Sequence, residues 1–67
     1  MRKDIKTTAK EMGFIPIEGP IQPGDLYLAE RNTGPKLLTC LQVKDNYVVP
    51  VGIDYCYDVW ECIKVEA

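Results

Sequence analysis

The hydrophobic pattern of the chain begins with one short predicted helix. Over residues 4–12, three apolar side chains recur on one helical face: Ile5, Ala9 and Met12. Asp4 is suited to the N-cap, Gly13 to a left-handed C-terminal cap, and Phe14 to the hydrophobic contact that accompanies such a cap. A helix this short is marginally stable alone, so we expect it to dock on the rest of the protein.

A connector rich in proline and glycine is predicted over residues 13–24. Its part from 15 to 24 holds three of the five prolines and two of the five glycines. Proline fixes φ and lacks an N–H donor, which excludes a helix or a central strand here. We expect an extended, turning segment whose isoleucines contact the core: Ile15, Ile17 and Ile21.

The pattern then changes to short alternating segments, which predict strands. Residues 25–31 place Leu26 and Leu28 on one face and Tyr27 on the other. Residues 36–44 also alternate, with one face formed by Leu37, Thr39, Leu41 and Val43 and the other by Lys36, Gln42 and Lys44. Further strands are predicted at 47–51, 54–57 and 63–66, with a single tight turn at 59–62.

Residues typical of turns separate these strands. Asn-Thr-Gly at 32–34 and Asp-Asn at 45–46 fit tight hairpin turns, because glycine, asparagine and aspartate enter the left-handed region readily. Pro50 places the end of its strand at an edge or a bulge, and Gly52 permits a sharp bend.

Four or five short strands joined by tight turns favour one strongly bent antiparallel sheet that closes on itself and so hides its edges. We therefore predict a mainly β fold, a small SH3-like or Tudor-like barrel with the short N-terminal helix packed on one open end. The whole chain, residues 1–67, is expected to form a single domain, with the barrel over residues 25–66.

Composition restricts the chemistry of the chain. Its 67 residues include no histidine and no serine, which excludes Ser-His-Asp and Cys-His catalysis and histidine metal ligands. The five glycines form no GxGxxG or P-loop motif, and a barrel this small leaves no useful internal pocket. We therefore expect a protein that is not an enzyme and that binds no cofactor.

The three cysteines, Cys40, Cys56 and Cys62, are an odd number and form no CxxC pair. They cannot all pair within one chain, so we expect reduced thiols buried as small hydrophobic side chains, and no metal site. Reduced thiols are typical of the cytoplasm. The apolar runs are too short for a membrane span, and polar residues follow the basic N-terminus where a signal peptide needs apolar ones.

Charge is distributed unevenly around a formal net charge of −2. Residues 1–10 carry +3 and residues 11–67 carry −5. The most acidic part lies near the end of the chain: Asp54, Asp58, Glu61 and Glu66. Without clustered lysine and arginine the β region is poorly suited to nucleic acid, which disfavours direct nucleic-acid binding. An acidic face favours a partner protein with a basic surface, although such carboxylates also simply keep a small domain soluble.

Four aromatic residues lie among these acids: Tyr47, Tyr55, Tyr57 and Trp60. Tyrosine and tryptophan are common interface anchors, and with nearby carboxylates they form cages for cations or platforms for bases. Trp60, as the only tryptophan of a small domain, is nevertheless expected in the core. Tyr55 and Tyr57 are expected at the surface, on the same side of an extended segment.

The chain resembles small uncharacterised proteins of tailed phages and prophages. The resemblance rests on GDLYLAERNTGPKLLT and YDVWEC, and it covers residues 24–66. It implies a phage accessory protein acting in the cytoplasm of the host cell, and it includes no catalytic motif.

Three hypotheses follow. The first is a non-enzymatic binding module, an accessory or inhibitor protein whose acidic, tyrosine-rich face occupies a basic surface of a host or partner protein. The second is a small-ligand or nucleotide-binding protein with an aromatic cleft. The third is a homo-oligomeric structural subunit, for instance a homodimer. The candidate binding residues are Tyr47, Asp54, Tyr55, Tyr57, Asp58, Trp60 and Glu61.

Overall fold

The computed structural model describes residues 4–32 and 34–66, in which one α-helix precedes six strands and a 3₁₀ turn. The elements are α1 (Ile5–Glu11), β1 (Ile15–Pro16), β2 (Leu26–Arg31), β3 (Gly34–Lys44), β4 (Tyr47–Pro50), β5 (Tyr57–Asp58), the 3₁₀ helix (Val59–Glu61) and β6 (Cys62–Glu66). Arg2 and Lys3 of the basic N-terminus and Thr33 of the first predicted turn lie outside the described residues.

Helix α1 has the two caps that the sequence predicts. The Asp4 Oδ1 atom accepts a hydrogen bond of 2.8 Å from the Thr7 N–H, which also lowers the pKa of the Asp4 carboxyl. At the other end Gly13 has φ +89°, and the Phe14 N–H donates to the Ala9 carbonyl at 3.0 Å. This is the bonding of a Schellman cap, and it turns Phe14 back towards the core.

The strands form one antiparallel sheet in the order β1-β6-β2-β3-β4-β5. Strand β2 is central, and Tyr27, Leu28 and Ala29 are fully buried because both faces of the sheet are covered there. The predicted alternation of β2 is confirmed, since Leu26 and Leu28 pack with helix α1 while Tyr27 packs on the opposite face.

Two small hydrophobic clusters therefore stabilise the fold. The first lies between the sheet and α1 and contains Ala9, Leu28 and Val65, with Ile5, Phe14, Leu26 and Ile63 at its border. The second lies on the other face and contains Tyr27, Ala29, Cys40, Val48 and Tyr57, with Ile21, Leu38 and Cys62 at its border.

The alternation predicted for residues 36–44 is confirmed as far as Thr39, since Leu37 and Thr39 share a face, and is wrong beyond Cys40. A β-bulge between Cys40 and Gln42 shifts the register of β3 against β4, opposite Pro50, where the sequence predicts an edge or a bulge. Because side chains alternate with a period of two, one extra residue reverses the face of every later side chain. Leu38 and Cys40 point to the core before the bulge. All four side chains predicted to share one face are exposed: Leu37, Thr39, Leu41 and Val43.

The connector contains no helix and no central strand, and the second hairpin forms, both as predicted. The expectation for the connector isoleucines is met by Ile21, which packs against the core, but is wrong for Ile15, which is exposed. Strand β1 is two residues long and lies at a sheet edge, as its proline requires. Asp45 supplies the left-handed backbone of the hairpin turn with φ +55°. Among the described residues, no helix is long and apolar enough to cross a membrane.

The mainly β class with one short helix is confirmed, but a closed barrel is not. Within residues 4–32 and 34–66, β1 and β5 are the two edges of the sheet and do not pair with each other. SH3-like or Tudor-like closure therefore stays a prediction.

Candidate functional site

An open groove lies where the second hairpin meets the 3₁₀ helix. It encloses about 440 Å³ and is lined by Asp45, Asn46, Tyr47, Asp58, Val59 and Trp60, which we call the Tyr47–Trp60 groove. The Val59 N–H donates to the Asn46 carbonyl at 2.8 Å, and this bond ties the two segments together. The groove is thus built from backbone pairing rather than from flexible side chains alone.

Strand register places an aromatic ring beside a carboxylate in this groove. Tyr47 on β4 is directly opposite Asp58 on β5 and directly opposite Lys44 on β3. Directly opposed residues of antiparallel strands share a face, so the three side chains form a row across the sheet. Asp58 and Asp45 border the groove, and Lys44 is the basic residue next to it.

Trp60 is 72% exposed, so its predicted place in the core is wrong. The 3₁₀ helix has only three residues and turns Glu61 inwards, which leaves the preceding indole pointing outwards. The large aromatic side chains of the core cluster on this face are Tyr27 and Tyr57, not the indole of Trp60. Tyr47, 47% exposed, lies in the same groove. The result is two solvent-facing aromatic side chains next to carboxylates.

Glu61 is a structural residue and does not belong to an acidic surface, contrary to its predicted role. Its side chain is 8% exposed and forms an ion pair with Arg31 through the Oε1 atom at 2.8 Å. The same carboxylate accepts the Asp58 N–H at 3.0 Å, at the start of the 3₁₀ helix. Arg31 also donates to the Cys56 carbonyl at 3.0 Å. Glu61 thus fixes the segment that carries Trp60.

A second cluster of polar and aromatic side chains lies apart from the groove. It contains Arg31, Lys36, Tyr55 and Tyr57, and we call it the Tyr55 cluster. The rings of Tyr55 and Tyr57 are 5.5 Å apart in an edge-to-face arrangement, and the Arg31 guanidinium lies 4.7 Å from the centre of the Tyr57 ring. A pocket of about 340 Å³ opens beside Tyr55, Tyr57 and Arg31.

Burial separates the two tyrosines of this cluster. Tyr55 is 44% exposed, as predicted, but Tyr57 is only 2% exposed, so its predicted surface position is wrong. Burial raises the pKa of Tyr57 to about 12, helped by its hydrogen bond with Tyr55. The pKa of Tyr55 is lowered, because its oxygen accepts hydrogen bonds from Tyr57 and from the Lys36 ammonium. Tyr55 is therefore the first of the two to ionise.

The four predicted aromatic residues do not form one cleft. Tyr47 and Trp60 line the groove, whereas Tyr55 and Tyr57 line the pocket of the Tyr55 cluster. Asp54 is exposed and precedes Tyr55 in sequence, so it accompanies the second cluster along the chain.

Sequence reasoning missed several residues that border these two places, among them four charged or polar ones. Asp45 and Asn46 carried only a turn signal, and Arg31 and Lys36 lie on strands with no motif. Their position depends on pairing between β4 and β5 and between β2 and β3, which a local pattern does not encode.

The cysteines are free thiols. Cys40 is buried, and Cys56 and Cys62 are half-buried. Burial raises the pKa of Cys62 to about 12 and also raises that of Cys40, so both remain protonated at neutral pH. Within the described part of the chain, no three acidic or cysteine side chains lie close enough together to hold a metal ion.

No protein-family model, no curated protein and no solved structure matches the chain. Function is therefore argued from the geometry of the molecule itself.

Proposed function

We propose that the protein is a non-enzymatic binding module whose Tyr47–Trp60 groove binds a basic segment of a partner protein. The observation that carries this proposal is the exposure of Trp60, 72%, beside Tyr47 and the two carboxylates of Asp45 and Asp58. Trp60 is not an isolated exposed residue, because Tyr47 and Val59 are exposed in the same groove, and contiguous apolar patches of this kind mark interaction sites. Tryptophan and tyrosine are also the residues that most often dominate binding energy.

The groove suits a lysine or arginine side chain in particular. A cation above an exposed aromatic ring gains about 0.5–1 kcal/mol, and more when the contact is desolvated. The carboxylates of Asp45 and Asp58 add attraction of about 1 kcal/mol for each close charge pair in a high-dielectric setting. An acidic or neutral segment would gain only the apolar part of this energy, so charge selects the partner.

The phage resemblance and the fold fit this reading. In this proposal, an accessory or inhibitor protein of the phage type in the host cytoplasm occupies a basic surface of a host protein, which its acidic groove complements. A small SH3-like or Tudor-like module is suited to such a role, because its rigid sheet presents a fixed aromatic groove. In this proposal the protein binds its partner and catalyses no reaction.

The test is isothermal titration with short peptides of equal length that carry lysine, arginine, glutamate or only neutral residues. Lysine and arginine peptides are expected to bind, and the others are not. Asp45→Asn together with Asp58→Asn keeps the turn and the cap while it removes two negative charges. We expect this double variant to weaken binding of the basic peptides by about tenfold.

The matched control is Asp54→Asn together with Glu66→Gln, which removes the same charge outside the groove. We expect a loss of affinity below about threefold, from long-range attraction alone. If both double variants lose the same affinity, the attraction depends on the net charge of the protein and not on the groove. Binding of glutamate peptides as tight as that of lysine peptides would refute the groove proposal.

A small ligand is the alternative occupant of the same groove. Its volume of about 440 Å³ falls within the range of small-molecule sites, and its aromatic walls would stack on a nucleobase. Nucleotides and cationic metabolites added to the protein should then change the Trp60 emission saturably. No change with any of them at millimolar concentration would remove this alternative.

A homodimer is a second proposal, supported by leucines that β3 exposes. Leu37 and Leu41 lie in water on the longest strand of the sheet, where a second copy would cover them. Sedimentation velocity should then show a dimer that Leu37→Lys and Leu41→Lys convert to a monomer. A monomer at every concentration would reject the proposal.

A further inference from the structure

The Tyr55 cluster offers chemistry that the groove proposal does not use. The Tyr55 oxygen lies 3.1 Å from the Lys36 Nζ atom and 3.4 Å from the Tyr57 oxygen. Both groups donate to it, so negative charge on this oxygen is stabilised by a cation and by a hydroxyl. Tyr55 is 44% exposed and lines a pocket of about 340 Å³.

We propose that Tyr55 is a site of covalent modification whose hydroxyl oxygen is the nucleophile that accepts a group from an activated donor of the phosphoryl class. The oxygen attacks phosphorus, the O–P bond forms, the bond from phosphorus to the leaving group breaks, and the phenol proton passes to water. The chain has no serine and no histidine, so tyrosine and threonine are its hydroxyl nucleophiles.

The charges around Tyr55 favour this oxygen over the other exposed phenol. Lys36 on β3 contacts the oxygen directly, and Arg31 on β2 lies over the neighbouring Tyr57 ring. Two acids oppose them, since Glu61 pairs with Arg31 and Asp54 precedes Tyr55 in sequence. Lys36 is therefore the cation that decides the reactivity. Its ammonium also lies 5.8 Å from the centre of the Tyr55 ring.

Order of ionisation points the same way. Tyr57 remains protonated at neutral pH because its pKa is raised to about 12, so it can donate to Tyr55. The pKa of Tyr55 is lowered, so at a given pH a larger fraction of Tyr55 is phenolate than of a tyrosine with the ordinary pKa.

The test uses a fluorophosphonate probe and peptide mapping by mass spectrometry. Tyr47 is the internal control, because its exposure of 47% matches the 44% of Tyr55 while it lies outside the cluster. We expect the adduct on Tyr55 to form at least about threefold faster than that on Tyr47. The pH profile of the Tyr55 rate should rise at lower pH than that of an N-acetyltyrosine amide labelled with the same probe.

Two lysine variants separate activation from simple exposure. Lys36→Met should lower the Tyr55 rate to that of Tyr47 and shift its pH profile upwards, whereas Lys36→Arg should retain most of the rate. Lys44→Met removes another lysine of β3, one that is directly opposite Tyr47 in the strand register, and should leave the Tyr55 rate unchanged. Circular dichroism confirms the fold of each variant. Equal labelling of both tyrosines, or a Tyr55 rate that Lys36→Met does not change, would overturn the proposal.

Discussion

At the scale of single residues, Tyr27 carries an unusual hydroxyl. It is fully buried, and its oxygen finds no hydrogen-bond partner among the residues that the structure describes. Burial raises its pKa far above the ordinary value, with the neighbouring thiols of Cys62 and Cys40 adding to the effect. An unpaired buried hydroxyl costs about 1–3 kcal/mol.

We expect Tyr27→Phe to raise the free energy of unfolding by about 1 kcal/mol, because it removes this cost and keeps the ring. Urea unfolding at neutral pH measures the change. Tyr57→Phe is the matched control, since it loses a hydrogen bond to Tyr55 and should not stabilise. A loss of more than about 1 kcal/mol in Tyr27→Phe would mean that the hydroxyl has a partner.

Glu61 gives the opposite prediction. Glu61→Gln breaks its ion pair with Arg31, and because the arginine is 37% exposed, water screens part of the loss. We expect the free energy of unfolding to fall by about 1–3 kcal/mol, below the full cost of a buried pair. Glu18→Gln, which breaks the exposed pair with Lys6, is the control and should change nothing measurable. Equal effects in the two variants would contradict the structural role of Glu61.

Single residues also show where sequence reasoning succeeds and where it fails. The capping roles of Asp4 and Gly13 follow from local chemistry and are confirmed. The predictions of a buried Trp60 and an exposed Tyr57 are both wrong, because residue type alone does not decide which of two large aromatic side chains enters the core. What decides between them is the direction of each side chain from its own short element, and that direction is set by strand pairing.

At the scale of elements, helix α1 gives a pH-dependent prediction. The Asp4 carboxyl has a lowered pKa in the folded protein, so it stabilises the fold above its ordinary value of 3.8. That contribution is lost as the pH falls through the lowered pKa. Asparagine caps as well as aspartate but does not titrate.

We therefore expect the wild-type protein to be more stable than Asp4→Asn at neutral pH, and the difference to shrink at an acid pH below 3.8. Urea unfolding followed by far-ultraviolet circular dichroism at both pH values measures it. A difference that stays constant with pH would show that the charge of Asp4 contributes nothing.

Strand β3 shows which features of an element the hydrophobic pattern alone does not predict. The existence of the strand and the faces of its first residues were predictable from its alternation, but the faces beyond Cys40 were not. The bulge between Cys40 and Gln42 depends on how Pro50 of the neighbouring strand fits the ladder, which is a pairing between distant residues.

At the scale of the whole molecule, the class of fold was predictable and the order of the strands was not. Short alternating segments and turn residues indicate an antiparallel sheet wherever they occur. That β6 lies between β1 and β2 follows from contacts between the two ends of the chain, such as Ile15 with Glu66. The same long-range pairing brings Tyr47 to Asp58 and so creates the groove.

The proposed binding function depends on an exposed, charge-selective groove. The fluorescence of Trp60 reports on this groove directly, because Trp60 is the only tryptophan in the sequence. The decisive measurement is the fluorescence of the unmodified protein during titration with a lysine-rich peptide at low and at high salt. We predict the emission of a water-exposed indole in the free protein, a saturable shift with the peptide, and affinity that falls as salt rises. Emission of a buried indole, or no response to the basic peptide at low salt, would contradict the proposed function of the Tyr47–Trp60 groove.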